Sequence, residues 1–516
     1  MERSSGILMA ISSLPSKYGI GTLGQAAYDF TDFLVKAGQK YWQMLPLGPI
    51  SYGDSPYQSF SSFAGNPYFI DLDLLAGDGL LTQAEIDGYD WGADPANVDY
   101  GKIYESRFKI LAIAKERGYK RDKAEVDRFC EEKKWVCDYA LFMACKRHFG
   151  MTCWQTWPDE DIKRRKPEAI EKYRLDLADD YELFIYIQYL FFKQWSKLKD
   201  YIHAAGIQII GDIPIYAALD SVDVWCEPWQ FQLDEDLAPT QVAGCPPDAF
   251  SETGQLWGNP LYNWDFMKQD GFGWWIRRID GVGQLYDKIR IDHFRGFDEY
   301  WSIPAGDKTA ENGKWRPGPG LDLINVLNWW FPNLSYIAED LGFLTPSVLK
   351  LVRDSGWPGM KVLEFAFDSR EASDYLPHKY TQNCICYTGT HDNETLIQWR
   401  ETAAPEDVKL AEEYLNLTEE EGFLWGFIRG GMSSVADLFI APLQDYLELG
   451  AEARMNQPAV PSGWWRWRAL PEDIKGAKAE ALAEKIKTFA KRYGRYTEPA
   501  EENKDKTTDE AEAREE

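Results

Sequence analysis

Three carboxylates stand directly or shortly after apolar runs of the sequence, where a fold could bring them together. Asp292 follows residues 288–291, Glu339 follows residues 335–338, and Asp392 follows a third run after a short loop. A carboxylate pair can cleave a glycosidic bond, because an ionised member attacks the anomeric carbon while a protonated member gives its proton to the leaving oxygen. An acid after a strand is also a common helix cap or loop residue, so each position alone has a purely structural alternative.

The neighbours of two of these acids suit that chemistry. Arg290 lies two residues before Asp292, so both side chains point the same way on a strand. A cation at that place favours the ionised form of Asp292, which a nucleophile requires. His391, beside Asp392, offers a hydrogen-bond donor to a sugar hydroxyl. His293 also adjoins Asp292, but strand alternation turns it the other way, and we expect it to be structural.

Eight short β-rich runs, many of them separated by helical patterns, indicate a parallel sheet. The predicted strands are residues 6–11, 41–47, 207–213, 288–291, 335–338, 362–367, 385–388 and 435–441. Eight such strands predict a closed (β/α)8 TIM barrel, an α/β fold whose active site lies at the C-terminal ends of the strands. The three carboxylates all stand at or just beyond that end.

We expect one catalytic unit over residues 1–497, with large insertions between strands at about 80–198 and 216–287. The first insertion has a helical pattern, and the second is rich in Pro, Gly and Trp. Residues 472–493 have the spacing of a final amphipathic helix. Residues 498–516 are acidic and contain no large apolar side chain, so we expect a disordered tail.

The charge of the chain restricts its partners. Its 516 residues carry 56 basic and 83 acidic side chains, a formal net charge of −27. Such a surface repels phosphate backbones and anionic lipid, so we expect neither nucleic-acid nor membrane partners and favour a neutral substrate. Aromatic residues make up 15% of the chain. They indicate either a large core or a cleft whose rings stack on the apolar faces of sugars.

The N-terminus and the cysteines predict the cellular compartment of the protein. The first residues lack the apolar core of a signal peptide, and no run approaches the roughly 18 apolar residues of a membrane span. Eight cysteines are scattered along the chain, without a second Cys or His pair that would complete a zinc site beside Cys384 and Cys386. We therefore expect free thiols in a reducing cytoplasm.

Several motifs resemble those of a known enzyme family. The strings at 287–296, 338–342 and 389–393 resemble the catalytic regions of the α-amylase clan. A narrower resemblance, to amylomaltases and plant disproportionating enzymes of glycoside hydrolase family 77, comes from other segments. These are residues 14–21, 53–58, 66–68, 211–216, 244–248, 255–260 and 466–468. The resemblance covers about residues 5–495, and its motifs are highly specific when taken together.

The resemblance implies a retaining 4-α-glucanotransferase. Such an enzyme moves α-1,4-glucan segments between malto-oligosaccharides, or from glucans derived from starch or glycogen to glucose. It implies Asp292 as the nucleophile, Glu339 as the general acid/base, and Asp392 as the acid that distorts and stabilises the bound sugar. No cofactor or metal is implied. The string at 212–216 lacks the Asn-His pair that many α-amylases use for calcium, so we expect no calcium requirement.

The family pattern also implies binding residues. Arg290, His391 and Asp212 would frame the sugar at the cleavage point, and Tyr57 would stack on it. Residues 244–260 resemble a lid over the acceptor side, in which two further residues would touch glucan, namely Asp248 and Trp257. A weaker candidate is Tyr52, for a second glucan contact outside the cleft.

Each binding assignment has a structural alternative. Asp212 could cap a loop, Tyr57 could pack in the core, and Trp257 could brace the lid without touching sugar, while Tyr52 could be an ordinary surface ring. The chain also departs from the family at one place: relatives commonly have Asn before the Trp-Arg-Trp-Arg string, where Trp464 stands here. Any polar contact assigned to that place is therefore in doubt.

Two other functions share these motifs. An α-amylase-type hydrolase would use the same acids and hand the glucosyl group to water. A glucan-binding protein that kept the fold would need none of the three acids, so their presence argues against it. The lid motif and the match along the whole chain favour transfer over hydrolysis.

Overall fold

Eight parallel strands form the barrel that the sequence predicts. The computed structural model describes residues 2–51, 53–247, 251–342, 344–460 and 462–498. The barrel strands are β1 (Ser4–Leu8), β2 (Tyr41–Gln43), β3 (Gln208–Ile213), β4 (Lys288–Ile291), β5 (Ser335–Ala338), β6 (Gly359–Val362), β7 (Cys384–Tyr387) and β8 (Leu438–Pro442). All eight predicted runs overlap an observed strand, which confirms the α/β barrel.

The strands pair in parallel in the order β6-β7-β8-β1-β2-β3-β4-β5. Strands β5 and β6 stand at the two ends of this order, and hydrogen bonds from two backbone N–H groups connect them. The N–H of Ala338 donates to the carbonyl of Pro358 at 2.9 Å, and that of Met360 donates to the Asp340 carboxylate at 2.6 Å. Every residue of β1, β7 and β8 is buried, as expected for strands that are covered on both faces.

One predicted strand is displaced along the chain. The prediction placed the sixth strand at 362–367, whereas β6 ends at Val362 and a 3-10 helix, Leu363–Phe365, follows it. Leu363 in that helix is buried and Phe365 is half-buried, so the apolar residues after β6 continue the pattern of a strand. The prediction was wrong there because an apolar run shorter than about eight residues does not distinguish a strand from a buried helical turn.

A helical segment lies between β2 and β3 and covers one side of the barrel. Its helices are Leu72–Gly77, Gln83–Asp87, Tyr100–Gly118, Lys123–Glu132, Trp135–His148, Glu160–Lys163, Pro167–Asp176 and Ala178–Ala204. Side chains at helix N-termini set several of these boundaries: Asp71, Thr82 and Asp99 each accept a backbone N–H of the first turn. Among the described residues, no helix has the length and apolarity needed to cross a bilayer.

A second, antiparallel sheet lies beyond the C-terminal ends of the barrel strands. Its strands are Gln241–Cys245, Gln255–Pro260, Glu299–Pro304 and Lys314–Pro317, and the first two belong to the predicted lid. The sequence did not predict the last two, because Ser302 interrupts the apolar residues of Glu299–Pro304, and Lys314–Pro317 is short and largely exposed. The lid is thus part of a sheet rather than an isolated loop.

The remaining helices lie outside the barrel or at its ends. They are Gln25–Lys36, Val222–Cys226, Trp264–Gln269, Gly273–Leu285, Leu321–Trp330, Pro346–Ser355, Leu396–Thr402, Pro405–Leu415, Phe423–Ser433, Leu443–Tyr446, Pro471–Ile474 and Ala477–Arg492. The predicted helix at 472–493 is two helices, because Gly476, with φ of 92°, breaks it. Apart from Glu498, the predicted tail 498–516 lies outside the described residues.

Candidate active site

The register of β4 and β5 places Asp292 and Glu339 side by side. Ile291 pairs with Ala338, and each acid is the next residue of its chain. The backbone N–H of Glu339 donates to the carbonyl of Ile291 at 3.2 Å. The two side chains therefore leave neighbouring strands at the same level, on the rim where parallel strands of a barrel end.

Arg290 connects Asp292 to Asp212. Arg290 on β4 pairs directly with Asp212 on β3, and both side chains are almost fully buried. The Nη1 atom of Arg290 lies 2.7 Å from both oxygens of Asp212 and 3.0 Å from Oδ1 of Asp292. Although burial alone would lower the pKa of Arg290, these carboxylates raise it well above its usual value. The guanidinium is thus a permanent cation between the two acids.

The environments of Asp292 and Glu339 separate their protonation states. Removal from water raises the pKa of Asp292 to about 6, against the opposing effect of Arg290. It raises the pKa of Glu339 to about 8, and the charge of Asp292 adds to the shift. Near neutral pH, Asp292 is therefore ionised while Glu339 keeps its proton. Such a separation is what distinguishes the nucleophile from the acid in a carboxylate pair.

Two backbone amides fix the orientation of Glu339. The N–H of His293 donates to Oε2 at 2.7 Å, and the N–H of Leu341 donates to Oε1 at 3.0 Å. His293 has φ of 54° and ψ of 47°, a left-handed conformation that is uncommon outside glycine. Because β4 ends at Ile291, strand alternation does not govern His293. Its backbone N–H holds the Glu339 carboxyl, and its ring packs edge-on against Trp257, with the centroids 4.8 Å apart.

Tyr57 and His391 continue the network from Asp212. The Tyr57 hydroxyl donates to Oδ2 of Asp212 at 3.0 Å and lies 2.8 Å from Nε2 of His391. That hydroxyl has one proton, so the nitrogen of His391 is the donor in the second contact. The two rings are nearly parallel, with centroids 5.2 Å apart. Burial raises the pKa of Tyr57 well above 10, which keeps its hydroxyl protonated.

Asp392 completes the group of acids. Its Oδ2 lies 3.4 Å from Nε2 of His391, and its Oδ1 accepts a hydrogen bond of 2.7 Å from the side-chain amide of Asn456. Nothing in the sequence singled out Asn456, which lies in a loop 64 residues further along the chain. The guanidinium of Arg454 lies 3.4 Å from the carbonyl of Asp392, so the same loop contacts the acid twice.

The remaining predicted residues have different positions. Trp257 lies in the lid strand Gln255–Pro260, half-buried against His293 and Tyr216. Asp248 and Tyr52 lie outside the described residues.

At the position where the chain departs from the family pattern, the Trp464 ring lies 5.8 Å below the Arg454 guanidinium. The side-chain amide that contacts Asp392 comes from Asn456. Among the residues described, no group of three or more His, Cys, Asp or Glu side chains is arranged to hold a metal ion.

Comparison with known proteins identifies the family of this chain. The family model of 4-alpha-glucanotransferases, glycoside hydrolase family 77, matches residues 9–472. A 4-alpha-glucanotransferase of Clostridium butyricum is 51% identical over 490 residues, which cover 94% of this chain and 100% of the relative. One of Thermus thermophilus is 46% identical and covers 94% and 99% of the two chains.

Solved structures show the same fold. A structure of the amylomaltase from Streptococcus agalactiae in complex with acarbose is 43% identical, with a TM-score of 0.93, and covers 96% of this chain and 100% of that one. The amylomaltase of Corynebacterium glutamicum is 18% identical, with a TM-score of 0.74, over 94% and 75% of the two chains. The chain belongs to glycoside hydrolase family 77, the 4-alpha-glucanotransferases.

Proposed function

We propose that this member of the family disproportionates malto-oligosaccharides by a retaining double displacement. It would move an α-1,4-glucan segment from a donor chain to the 4-hydroxyl of another glucan or of glucose. One observation carries the mechanism: Asp292 and Glu339 lie at the ends of adjacent strands with opposite protonation near neutral pH. A nucleophile and an acid with these properties are what glycosidic cleavage with retention requires.

In the first step, the ionised carboxylate of Asp292 attacks the anomeric carbon of the bound sugar. The bond to the leaving oxygen breaks as Glu339 gives that oxygen its proton, and a glucosyl ester forms on Asp292. The Arg290 contact at 3.0 Å holds the attacking carboxylate in place. In the second step, Glu339 takes the proton of an incoming sugar 4-hydroxyl, whose oxygen displaces Asp292 and restores the α configuration.

The remaining residues would hold the sugar at the cleavage point. Asp392 would bind its hydroxyls and favour the distorted ring of the transition state, and the amide of Asn456 would orient that carboxylate. His391 and Asp212 would contact further hydroxyls, while the Tyr57 ring would stack on the sugar face. Buried polar groups that bind hydroxyls discriminate strongly against a ligand that lacks them, so this arrangement suits glucose units.

Transfer rather than hydrolysis requires that an acceptor sugar compete with water. Effective molarities of well-oriented groups reach about 10⁵–10⁸ M, which is sufficient if the site binds the acceptor rigidly. Trp257 supports this role, because it lies on a strand of the second sheet and packs against His293, next to the nucleophile. We propose that Asp248, in the same lid, also contacts the acceptor. The hydrolase alternative has no comparable observation in its favour.

We further propose that residues 1–497 act as one catalytic unit, with insertions at about 80–198 and 216–287. The pairing of β1 with β8, which joins the two ends of this region, supports that proposal. Its substrates would be malto-oligosaccharides and longer glucans, with glucose as an acceptor. A cytoplasmic location is in keeping with the eight cysteines, none of which forms a disulfide in the part of the chain that the structure describes.

Maltotriose as the sole substrate tests the function. We expect glucose together with a ladder of longer oligosaccharides, while the total number of reducing ends stays nearly constant. Trp257→Ala should raise the ratio of hydrolysis to transfer, whereas the control Trp329→Ala, at an exposed tryptophan on an outer helix, should leave the ratio unchanged. A steady rise in reducing ends without any product longer than maltotriose would show a hydrolase instead.

A further inference from the structure

A single buried carboxylate holds both ends of the loop that carries His391 and Asp392. The Thr388 hydroxyl, immediately after β7, donates to Oδ2 of Asp445 at 2.6 Å. The backbone N–H of Leu396, the first residue of helix Leu396–Thr402, donates to Oδ1 of the same residue at 2.9 Å. Asp445 lies in the short helix Leu443–Tyr446 that follows β8, and it is only 1% exposed.

Between these two anchors, the loop is closed by contacts of its own. The Asn393 side-chain oxygen accepts from the backbone N–H of Thr390 at 2.9 Å and from its hydroxyl at 2.8 Å. The N–H of Asp392 donates to that hydroxyl at 3.2 Å. The loop is therefore a small rigid turn, and a shift of either anchor would move the Asp392 carboxylate with it.

A second buried acid, Glu364, packs directly against the loop. A side chain at Gly389 would place its Cβ 2.6 Å from Oε1 of Glu364, so the loop backbone approaches this acid as closely as a glycine allows. Burial raises the pKa of Glu364 well above its usual range, and the nearby acids Asp445 and Glu394 add to that shift. Burial therefore favours the neutral form of Glu364 beside Asp445.

We propose that Asp445 is a positioning residue for glucan transfer, which acts by fixing the loop that presents Asp392 to the bound sugar. The inference rests on the proposed function, because it requires Asp392 to act on the transition state. Asp445 itself touches no substrate. Its two hydrogen bonds come from the two ends of one loop, and no other described side chain bonds both ends.

The consequence for catalysis follows from geometry. A displacement of about 1 Å at a reacting group can lower the rate by about a hundredfold, even when the change lies outside the substrate contacts. Because Asp392 acts mainly on the distorted sugar, loosening its loop should lower kcat much more than it raises KM. A purely structural anchor would instead affect thermal stability and leave kcat of the folded enzyme unchanged.

Thr388→Val tests the proposal, because it removes one anchor without changing the size of the side chain. We expect kcat on maltotriose to fall ten- to a hundredfold with KM within about threefold of wild type, at a temperature where circular dichroism shows a folded enzyme. Thr388→Ser retains the hydroxyl and should restore kcat to within about threefold. If the valine variant does not fold, Asp445→Asn, which has the same shape, should show the same fall in kcat with little change in KM.

A double-mutant cycle identifies the route of the effect. With α-maltotriosyl fluoride as donor, Thr388→Val should cause no further loss of kcat in the Asp392→Asn background, because the loop then has no carboxylate to position. If Thr388→Val lowered kcat as much in the Asp392→Asn background as in wild type, the proposal would be overturned. An unchanged kcat for Thr388→Val alone would overturn it as well. In both cases the proposed role of Asp392 would stand. If Asp392→Asn itself kept the wild-type rate, the proposed role of Asp392 would fail first, and that of Asp445 with it.

Discussion

The Nη1 atom of Arg290 lies 3.0 Å from Oδ1 of Asp292, and this single contact favours the ionised form of the proposed nucleophile. The same nitrogen contacts both oxygens of Asp212 at 2.7 Å, so the cation is shared. Burial raises the pKa of Asp292 and the charge of Asp212 adds to that rise, so the guanidinium offsets only part of it. The result is a nucleophile that is ionised at neutral pH and becomes protonated under mildly acidic conditions.

Arg290→Lys should lower kcat by about a hundredfold. A lysine keeps the charge, but its side chain is one atom too short to reach the position of Nη1, the nitrogen that contacts both Asp212 and Asp292. The acid limb of the pH–rate profile should also move to higher pH, because the lysine charge lies farther from Asp292 than Nη1 does and favours its ionised form less. Arg277→Lys, at an exposed arginine paired with Glu227, is the matched control and should keep wild-type kinetics. Unchanged kinetics of Arg290→Lys would contradict the role given to the guanidinium.

The pH dependence of kcat/KM should be bell-shaped, with limbs near 6 and 8. Below the first value Asp292 gains a proton and cannot attack, and above the second Glu339 loses the proton that it must donate. Initial rates with maltotriose between pH 4.5 and 9.5 measure both limbs. A profile that stays flat from pH 5 to 9 would contradict the assignment of these two acids.

Glu339→Gln should abolish transfer from natural glucans but retain part of the cleavage of donors with acidic leaving groups. Such groups depart without being protonated, so loss of the acid affects them less. Parallel assays with maltotriose and with α-maltotriosyl fluoride measure the difference. Equal losses on the two donors would exclude the acid/base role.

The same substitution should change how thermal stability depends on pH. The pKa of Glu339 is raised to about 8 in the folded protein, so its unfolded form ionises first as the pH rises. That difference destabilises the wild type progressively from the ordinary glutamate pKa of about 4.3 up to about 8. The Tm of Glu339→Gln relative to wild type should therefore increase between pH 5 and pH 8. A constant difference in Tm across that range would show that Glu339 is not shifted.

The barrel was predictable because buried parallel strands are continuous apolar runs. The exception is β6, whose predicted position was too far along the chain, because the 3-10 helix Leu363–Phe365 continues the apolar residues of the strand. The strands Glu299–Pro304 and Lys314–Pro317 escaped prediction because neither is a continuous apolar run: Ser302 interrupts the first, and the second is largely exposed.

For the site, the three acids followed from their places after strands and from the family resemblance. The residues that orient these acids could not be predicted in this way. Asn456 is separated from Asp392 by 64 positions, and His293 contributes a backbone N–H that any residue type possesses. Asp445 follows a strand, as the proposed catalytic acids do, yet its hydrogen bonds go to the two ends of a loop. Sequence patterns can nominate reacting groups, whereas positioning groups depend on contacts that only the fold creates.

Trapping the covalent intermediate tests the central claim most directly, namely that Asp292 carries the glucosyl group. In Glu339→Gln, α-maltotriosyl fluoride should still glycosylate the enzyme, while the missing base slows the second step. Mass spectrometry of the denatured protein should show the addition of one maltotriosyl group, and peptide mapping should place it on Asp292. Glu339→Gln combined with Asp292→Asn should show no adduct. An adduct on another residue, or release of stoichiometric fluoride without any adduct, would contradict the mechanism.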